Sequence, residues 1–129
     1  MPTSPKAQKR FPKRTRALLA QSRMLGIRAG DDHRFTGIWF VMIGDRVFVR
    51  PYFDKASGWY RTYRKNPIGA IRLGEREIPV RARFVRGEGL FDAVDAAYAE
   101  KYDTQASQKW VRGFRLPRRR KTTTELLPG

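Results

Sequence analysis

The alternation of apolar and polar positions along the chain predicts two β-hairpins. The first joins residues 35–43 to 46–50 across a Gly-Asp dipeptide, and both arms are dense in β-branched and aromatic residues. The second joins residues 70–73 to 77–85 across a Gly-Glu dipeptide, and its second arm alternates apolar residues with arginines. Such alternation is typical of antiparallel strands that bury one face and expose the other.

Helical spacing appears in two other segments. Over residues 88–102, apolar positions recur every three or four residues, and Asp92 and Asp95 lie near the positive end of the predicted helix. Its apolar face consists of Leu90, Phe91, Val94, Ala97, Tyr98 and Tyr102. A shorter helix is predicted over residues 15–27, where leucines form an approximate stripe and glycines follow as stop signals.

The segment between the hairpins, residues 51–67, is rich in aromatic and basic side chains. Ser57 can cap a short helix in which Trp59, Tyr60 and Tyr63 share one side. A strand over the same aromatic residues remains possible, because aromatic side chains also favour strands.

The remaining segments complete the predicted organisation. Residues 1–14 contain three prolines and several basic residues, and they predict a flexible basic arm ahead of one domain over residues 15–129. Residues 109–121 are expected to form a basic loop, and residues 122–127 suit a last strand. This order of elements predicts an α+β fold with mainly antiparallel pairing.

Positive charge is concentrated at the two ends of the chain. The formal net charge is +16; residues 1–34 hold nine Lys or Arg against two Asp, and residues 109–129 hold seven against one Glu. Residues 35–108 hold twelve basic residues against nine acidic ones, so the middle carries little of the excess. End-loaded charge of this kind favours binding to a polyanion, or it increases solubility.

Several classes of function are excluded or disfavoured by the composition. Cysteine is absent, which excludes disulfides, cysteine zinc sites and thiol nucleophiles. The longest apolar run, residues 38–43, is far shorter than the stretch of about 20 residues that spans a bilayer. The N-terminal residues also lack the apolar stretch of a secretory signal. We therefore expect no membrane span and a cytoplasmic location.

Side-chain catalysis and metal binding have little support in the sequence. His33 is the only histidine, and although it follows Asp31 and Asp32, no second ligand group with suitable spacing accompanies it. The expected role is a polar loop, and no metal site is predicted. The sequence also lacks a nucleophile elbow and a phosphate-binding P-loop. If the protein is an enzyme, a cofactor must supply the reactivity.

Residues 50–61 form the best candidate site. They combine cationic and hydroxyl donors for a phosphate with flat rings for an aromatic ligand, as a phosphorylated heteroaromatic cofactor requires. The candidate cofactor-binding residues are Arg50, Tyr52, Lys55, Ser57, Trp59 and Arg61. The alternative is a basic, aromatic-rich loop whose charges are solvated.

The motifs in and around this segment resemble a known superfamily. The chain from residue 39 onward, with "RVFVRP", "GWYRTYRKNP" and "GAIRLGEREIPVRARFV", resembles split-barrel proteins of the pyridoxamine-phosphate-oxidase-like and deazaflavin-dependent nitroreductase-like groups. With "VDAAYAEKY" at residues 94–102 and "TTTELLP" at residues 122–128, it is more closely similar to a bacterial family known only as a domain of unknown function.

This resemblance implies a six-stranded, mainly antiparallel split β-barrel with two or three flanking helices. It also implies a homodimer that holds FMN or a deazaflavin at the subunit interface. In flavin-binding relatives, the strand ending at the position of Arg50 and the helix start near Ser57 contribute to the phosphate site. Those relatives commonly have Lys or Arg just after the serine, where this chain has Gly58, so Lys55 and Arg61 are the expected substitutes.

Two functions are therefore open. The first is a flavin- or deazaflavin-binding protein. If it is an enzyme, the expected activity is that of a small-molecule oxidoreductase. The alternative is a protein associated with RNA, DNA or a ribosome, which uses the barrel as a scaffold and offers Phe11, Trp110 and Phe114 for stacking. The candidate nucleic-acid-binding residues are Lys6, Lys9, Arg10, Lys13, Arg14, Arg16, Arg118, Arg119, Arg120 and Lys121.

Overall fold

The fold is built from one antiparallel sheet and the helices that pack on it. The computed structural model describes residues 10–31, 34–55 and 57–129. The strands are β1 (Met24–Ala29), β2 (Thr36–Trp39), β3 (Val41–Ile43), β4 (Arg46–Val49), β5 (Ile68–Leu73), β6 (Arg76–Phe84) and β7 (Thr124–Pro128). The helices are α1 (Lys13–Gln21), α2 (Trp59–Lys65), α3 (Glu88–Lys101), α4 (Gln108–Phe114) and α5 (Pro117–Arg120), with a 3-10 turn at Gln105–Ser107. Within the described ranges, no helix has the length and apolar character needed to cross a bilayer.

The sheet curls into a nearly closed barrel. Its strand order is β2-β1-β5-β6-β7-β4-β3, and every neighbouring pair is antiparallel. The two edge strands, β2 and β3, follow each other in the chain and are separated only by Phe40. One bent strand therefore forms both edges, so the six strands that the resemblance implies are counted as seven. The α+β barrel class is confirmed, although the described chain has five α-helices and not two or three.

Side chains at the end of α3 hold the bend at Phe40. The backbone N–H of Phe40 donates to the Tyr102 hydroxyl at 3.1 Å, and Lys101 Nζ donates to the Phe40 carbonyl at 2.9 Å. These bonds replace the ladder partners that a residue between two strands lacks. Burial raises the pKa of Tyr102 to about 12, so its hydroxyl stays protonated and donates to the carbonyl of Arg23. Burial, with repulsion from Arg23, lowers the pKa of Lys101 to about 8.

Two apolar clusters form the core. The first fills the barrel and includes Leu25, Ile27, Val47, Val49, Tyr63, Ile71, Val80 and Leu126. The second lies between the sheet and helices α3 and α4, and includes Val41, Phe48, Val94, Tyr98, Tyr102, Val111 and Phe114. Helices α3 and α4 therefore pack on one side of the barrel. They cover the sheet near Phe40, where the bent strand turns away from β4.

Several sequence predictions are confirmed. Both hairpins form, and their turns place Gly44 and Gly74 at φ of +60° and +62°, a left-handed conformation that glycine adopts without strain. Helix α3 buries the predicted positions Phe91, Val94 and Tyr98. The segment after residue 58 is the helix α2 and not the alternative strand.

The helix predicted over residues 15–27 is wrong in its second half. Helix α1 ends at Gln21, and β1 begins at Met24. In β1 the buried positions are Leu25, Ile27 and Ala29, an alternation that pairing with β2 and β5 stabilises. The described fold also begins earlier than residue 15, since Phe11 is buried in the core. Residues 1–9 of the predicted arm lie outside the described residues.

The basic loop predicted over residues 109–121 is also wrong, because this segment forms α4 and α5. Helix α4 buries Val111 and Phe114, which lie three residues apart and face the body of the protein. Pro117 begins α5, where the N–H that proline lacks would have no helical partner. A smaller correction concerns Ser57: the N-cap of α2 is Gly58, and no side chain caps this helix.

Candidate functional site

A cleft of about 640 Å³ lies along the open edge of β2. Within the described residues β2 pairs only with β1, and all four of its residues border the cleft. The opposite wall comes from residues 50–59, which follow β4 at the point where the bent strand leaves it. Small-molecule sites commonly have volumes of roughly 300–1,000 Å³, so this cleft has the size of a ligand site.

All three tryptophans of the chain border the cleft. Trp39 stacks on Tyr102, with ring centroids 3.9 Å apart and planes 3° from parallel. Trp110 meets the ring of Tyr52 edge-on at 5.0 Å, and Trp59 packs against the barrel core. Because each indole is held by other side chains, the flat surfaces of the cleft are formed before any ligand binds.

The charged residues bordering the cleft are cationic. Arg28, Arg34 and Lys55 border it, and no Asp or Glu of the described residues does. Arg28 lies 3.7 Å from a carboxylate oxygen of Glu77, and its guanidinium lies over the ring of Phe35, so the fold neutralises part of its charge. Lys55 is exposed and has no ion pair with another described residue. The cleft therefore favours an anionic ligand.

Arg50 also borders the cleft, but its side chain is used by the fold. The guanidinium is fully buried and forms an ion pair with Asp95. It also donates to the Thr123 hydroxyl at 2.8 Å and to the carbonyls of Phe91 and Phe114 at 3.1 and 3.0 Å. Four of its five N–H groups thus have protein partners. This geometry corrects the expectation that Arg50 donates to a ligand phosphate.

The other five candidate cofactor-binding residues differ in whether they border the cleft. Those that border the cleft are Tyr52, Lys55, Ser57 and Trp59. Arg61 does not border it; its guanidinium donates to Asp54 at 2.9 and 3.3 Å, and these bonds raise the pKa of Arg61. Tyr52 forms part of the wall: Arg119 lies over its ring at 3.7 Å, and a Cβ at Gly113 would collide with its hydroxyl.

The N-terminal basic end is partly neutralised by the fold. Arg10 and Arg16 both lie near Asp45 in the β3–β4 turn, at 3.0 and 3.5 Å. The exposed candidates without an ion pair among the described residues are Lys13 and Arg14. The candidates outside the described residues are Lys6 and Lys9. The role of this end in binding nucleic acid stays a prediction.

The C-terminal basic end lies at the opposite end of α3. Arg120 forms ion pairs with Glu88 and Asp92 in the first turns of this helix, whereas α1 and Lys101 line a groove at its last turn. A helix of 14 residues is about 20 Å long, so the two basic ends form separate patches. Of the C-terminal candidates, Arg118 and Lys121 are exposed.

Sequence reasoning missed the wall that β1 and β2 contribute. Arg28, Arg34 and Trp39 all border the cleft, but none is close in sequence to residues 50–61. Arg28 was missed because most of β1 was expected to be the second half of a helix over residues 15–27. The alternation of Leu25 and Ile27 was the signal that could have revealed a strand there. Asp32 and His33 of the predicted polar loop lie outside the described residues, and Asp31 is exposed.

The fold has a counterpart among solved structures. The crystal structure of the conserved hypothetical protein Rv2991 from Mycobacterium tuberculosis is similar, with a TM-score of 0.56 over 96% of this chain and 83% of that chain. At 15% sequence identity, this likeness establishes the fold alone. No curated protein matches the chain.

The sequence also matches the profile of a protein family. One match covers residues 21–126, a stretch that contains the strands β1 to β6, the helices α2 to α5 and both walls of the cleft. The matching family is DUF2255, described as an uncharacterized protein conserved in bacteria. The match confirms the resemblance to a bacterial family of unknown function, and the chain therefore belongs to the DUF2255 family.

Proposed function

We propose that the protein binds an anionic heteroaromatic ligand in the cleft, and that this ligand is a flavin or deazaflavin nucleotide such as FMN. One observation carries the proposal: all three tryptophans converge with Arg28, Arg34 and Lys55 on one cleft that no described carboxylate borders. A phosphorylated ring requires both flat apolar walls and cations. When bound, a flavin would supply electron transfer, and the protein would supply placement and electrostatics.

The wall formed by β2 suits the ring of such a ligand. The indole of Trp39 is fixed against Tyr102 and offers a rigid flat surface beside the cleft. On an edge strand, alternate residues direct their backbone N–H and C=O groups away from the paired strand. These groups are able to pair with the polar edge of a heteroaromatic ring, and the tryptophans pack against its apolar parts.

The opposite wall suits the phosphate. The N–H of Gly58 donates to the carbonyl of Lys55 at 2.9 Å, which holds these two residues close together beside Ser57. Lys55 and Ser57 both border the cleft, and Lys55 has no ion pair among the described residues. Arg61, the other substitute expected from sequence, is occupied by Asp54. Lys55 is therefore the cation on which we place the phosphate.

A titration tests this function. The full chain, purified free of nucleic acid, is titrated with FMN and with a deazaflavin nucleotide while tryptophan fluorescence and the visible spectrum of the ligand are recorded. Since all three indoles border the cleft, binding of either ligand should quench most of the fluorescence and saturate at micromolar concentrations. No saturable change with either ligand at tens of micromolar would contradict the proposal.

The family resemblance also favours a homodimer with the ligand at its interface, and we include this in the proposal. Phe53 and Met24 border the cleft and are 64% and 49% exposed, so a second chain would find apolar contacts there. Sedimentation velocity in the presence of saturating FMN should give twice the mass of one chain. A single-chain mass with FMN bound would exclude the dimer but not the ligand site.

A further inference from the structure

The segment from residue 104 to residue 124 contains seven basic residues and no acidic one. Five of these cations occur at every third position from residue 109 to residue 121, and we call this set the cation ladder. The cation ladder consists of Lys109, Arg112, Arg115, Arg118 and Lys121. All five are exposed, and none forms an ion pair with another described residue. The five positions run through α4, the connection after it and α5.

The two remaining basic residues of the segment point inward and hold the ladder in place. Arg119 donates to the carbonyl of Tyr52 at 2.7 Å and to the carbonyl of Gly113 at 3.1 Å. Arg120 is only 19% exposed and lies 3.1 Å from oxygens of both Glu88 and Asp95. The ladder is therefore attached to the body of the protein at two adjacent residues, so its backbone does not need to be ordered when a ligand binds.

The ladder also has an aromatic ring beside it. Trp110 is 38% exposed, lies between the first two cations in sequence, and meets Tyr52 edge-on at 5.0 Å. Proteins that bind single strands combine a row of cations, which follows the phosphates, with exposed rings on which bases stack. An unstacked base is available to such a ring in a single strand but not inside a duplex.

A membrane surface is a poorer match for this segment. A helix that lies in a membrane interface needs an apolar face directed at the lipid. The apolar face of α4 is directed into the core, where Val111 and Phe114 are buried. Apart from Trp110, the large apolar side chain exposed in this segment is Leu116, at 39%. One leucine beside five cations does not form an inserting face.

We propose that the cation ladder binds the phosphate backbone of single-stranded nucleic acid, and that Trp110 stacks on one of its bases. This function goes beyond ligand binding in the cleft. None of the five cations borders the cleft, although Trp110 does, so the cations distinguish the two sites. Arginines and lysines without base-edge partners read charge density, so binding is expected to depend weakly on sequence. The ladder also locates the polyanion site in an ordered part of the fold.

The test uses the full chain and fluorescent oligo(dT) and oligo(U), with anisotropy measured over a range of salt concentrations. A ladder variant carries Arg112→Ser, Arg115→Ser and Arg118→Ser. A matched control carries Lys65→Ser, Arg76→Ser and Arg81→Ser, which removes the same charge from exposed residues that form no ion pair with a described residue. The ladder variant should lower the salt slope by about 2, at roughly 0.7 per phosphate contact. The control should leave the slope within error of the wild type.

Two further measurements separate this proposal from the alternatives. Trp110→Leu should weaken binding by about fivefold or more without changing the salt slope, since stacking is not ionic. The ladder variant should bind FMN like the wild type, so failure of one proposal is distinguishable from failure of the other. An equal loss in ladder and control variants would overturn the inference. It would also be overturned if phosphatidylserine vesicles or polyglutamate bound in preference to the oligonucleotides.

Discussion

Arg50 and Lys55 lie five residues apart in the same segment, yet the structure uses their charges differently. The guanidinium of Arg50 is fully buried and paired with Asp95, whereas Lys55 is exposed at the cleft without a described partner. A buried cation requires a carboxylate and several acceptors, and once it has them it is no longer available to a ligand. The partner already present in the fold, and not the residue type, therefore decides which of these two cations can bind an anion.

The same contrast recurs at the C-terminal basic end. Arg119 and Arg120 are held by carbonyls and carboxylates of the fold, while the flanking members of the cation ladder are exposed. Sequence alone treats Arg118, Arg119 and Arg120 as one basic run. The structure separates them, because neighbouring residues of a short helix point in different directions.

The largest predicted effect is on stability and concerns the buried ion pair of Arg50. Asp95→Ala leaves the guanidinium of Arg50 buried without its carboxylate, and removal of one partner of a buried pair costs about 3–5 kcal/mol. This is a large part of the stability of a small domain. Urea unfolding followed by circular dichroism measures the loss. Asp95→Asn retains an acceptor for Arg50 and should lose less.

Asp92→Ala provides the matched control. Asp92 lies on the same helix and pairs with Arg120, but its side chain is 74% exposed. Exposed ion pairs contribute at most about 1 kcal/mol, so this variant should remain close to the wild type. Equal destabilisation by Asp92→Ala and Asp95→Ala would show that burial of an ion pair does not determine its contribution to stability.

An intermediate effect is expected at Glu125, a buried carboxylate that pairs with two half-exposed arginines. Burial alone would raise the pKa of Glu125, but hydrogen bonds from Arg46 at 3.0 Å and Arg83 at 2.6 Å outweigh it and lower the pKa below 4.5. A lowered pKa in the folded state means that the stabilisation is present at neutral pH. It is lost as the pH falls below 4.5 and through the folded-state pKa.

Glu125→Gln should therefore reduce stability at pH 7 by about 1–2 kcal/mol, and the difference from the wild type should shrink in acid. Urea unfolding at a series of pH values measures both. Glu77→Gln serves as the control, because Glu77 is exposed and lies 3.7 Å from Arg28. A constant gap between Glu125→Gln and the wild type from pH 7 to pH 3 would contradict the assignment.

Much of the fold could be predicted because its signals are local. The two hairpins depend on alternation next to a glycine turn, and α3 depends on apolar spacing within 14 residues. The strand β1 was missed because Leu25 and Ile27 also continue the leucine stripe of α1, and only pairing with β2 and β5 decides between the two. Helices α4 and α5 were missed because their sequence is basic and buries only Val111 and Phe114.

The candidate site was predictable on one wall only. Residues 50–61 were identified from composition, and five of the six predicted residues border the cleft, although the fold uses the side chain of Arg50. The wall from β1 and β2 comes from a distant part of the chain, so no local pattern connects Trp39 with Lys55. The partner of Arg50 is likewise 45 residues away, and no sequence signal links Arg50 to Asp95.

The proposed contact between Lys55 and a ligand phosphate is tested by comparing FMN with riboflavin, which has the same ring without the phosphate. The wild type should bind FMN more tightly by about tenfold, as expected for a charge-assisted contact at a partly exposed site. Lys55→Ala should reduce this preference to about twofold, because it removes the phosphate contact and leaves the ring site intact. Lys65→Ala, which removes an exposed cation outside the cleft, should retain the wild-type preference. Equal affinity of the wild type for FMN and riboflavin, or an equal loss of preference in both variants, would contradict a phosphate contact at Lys55.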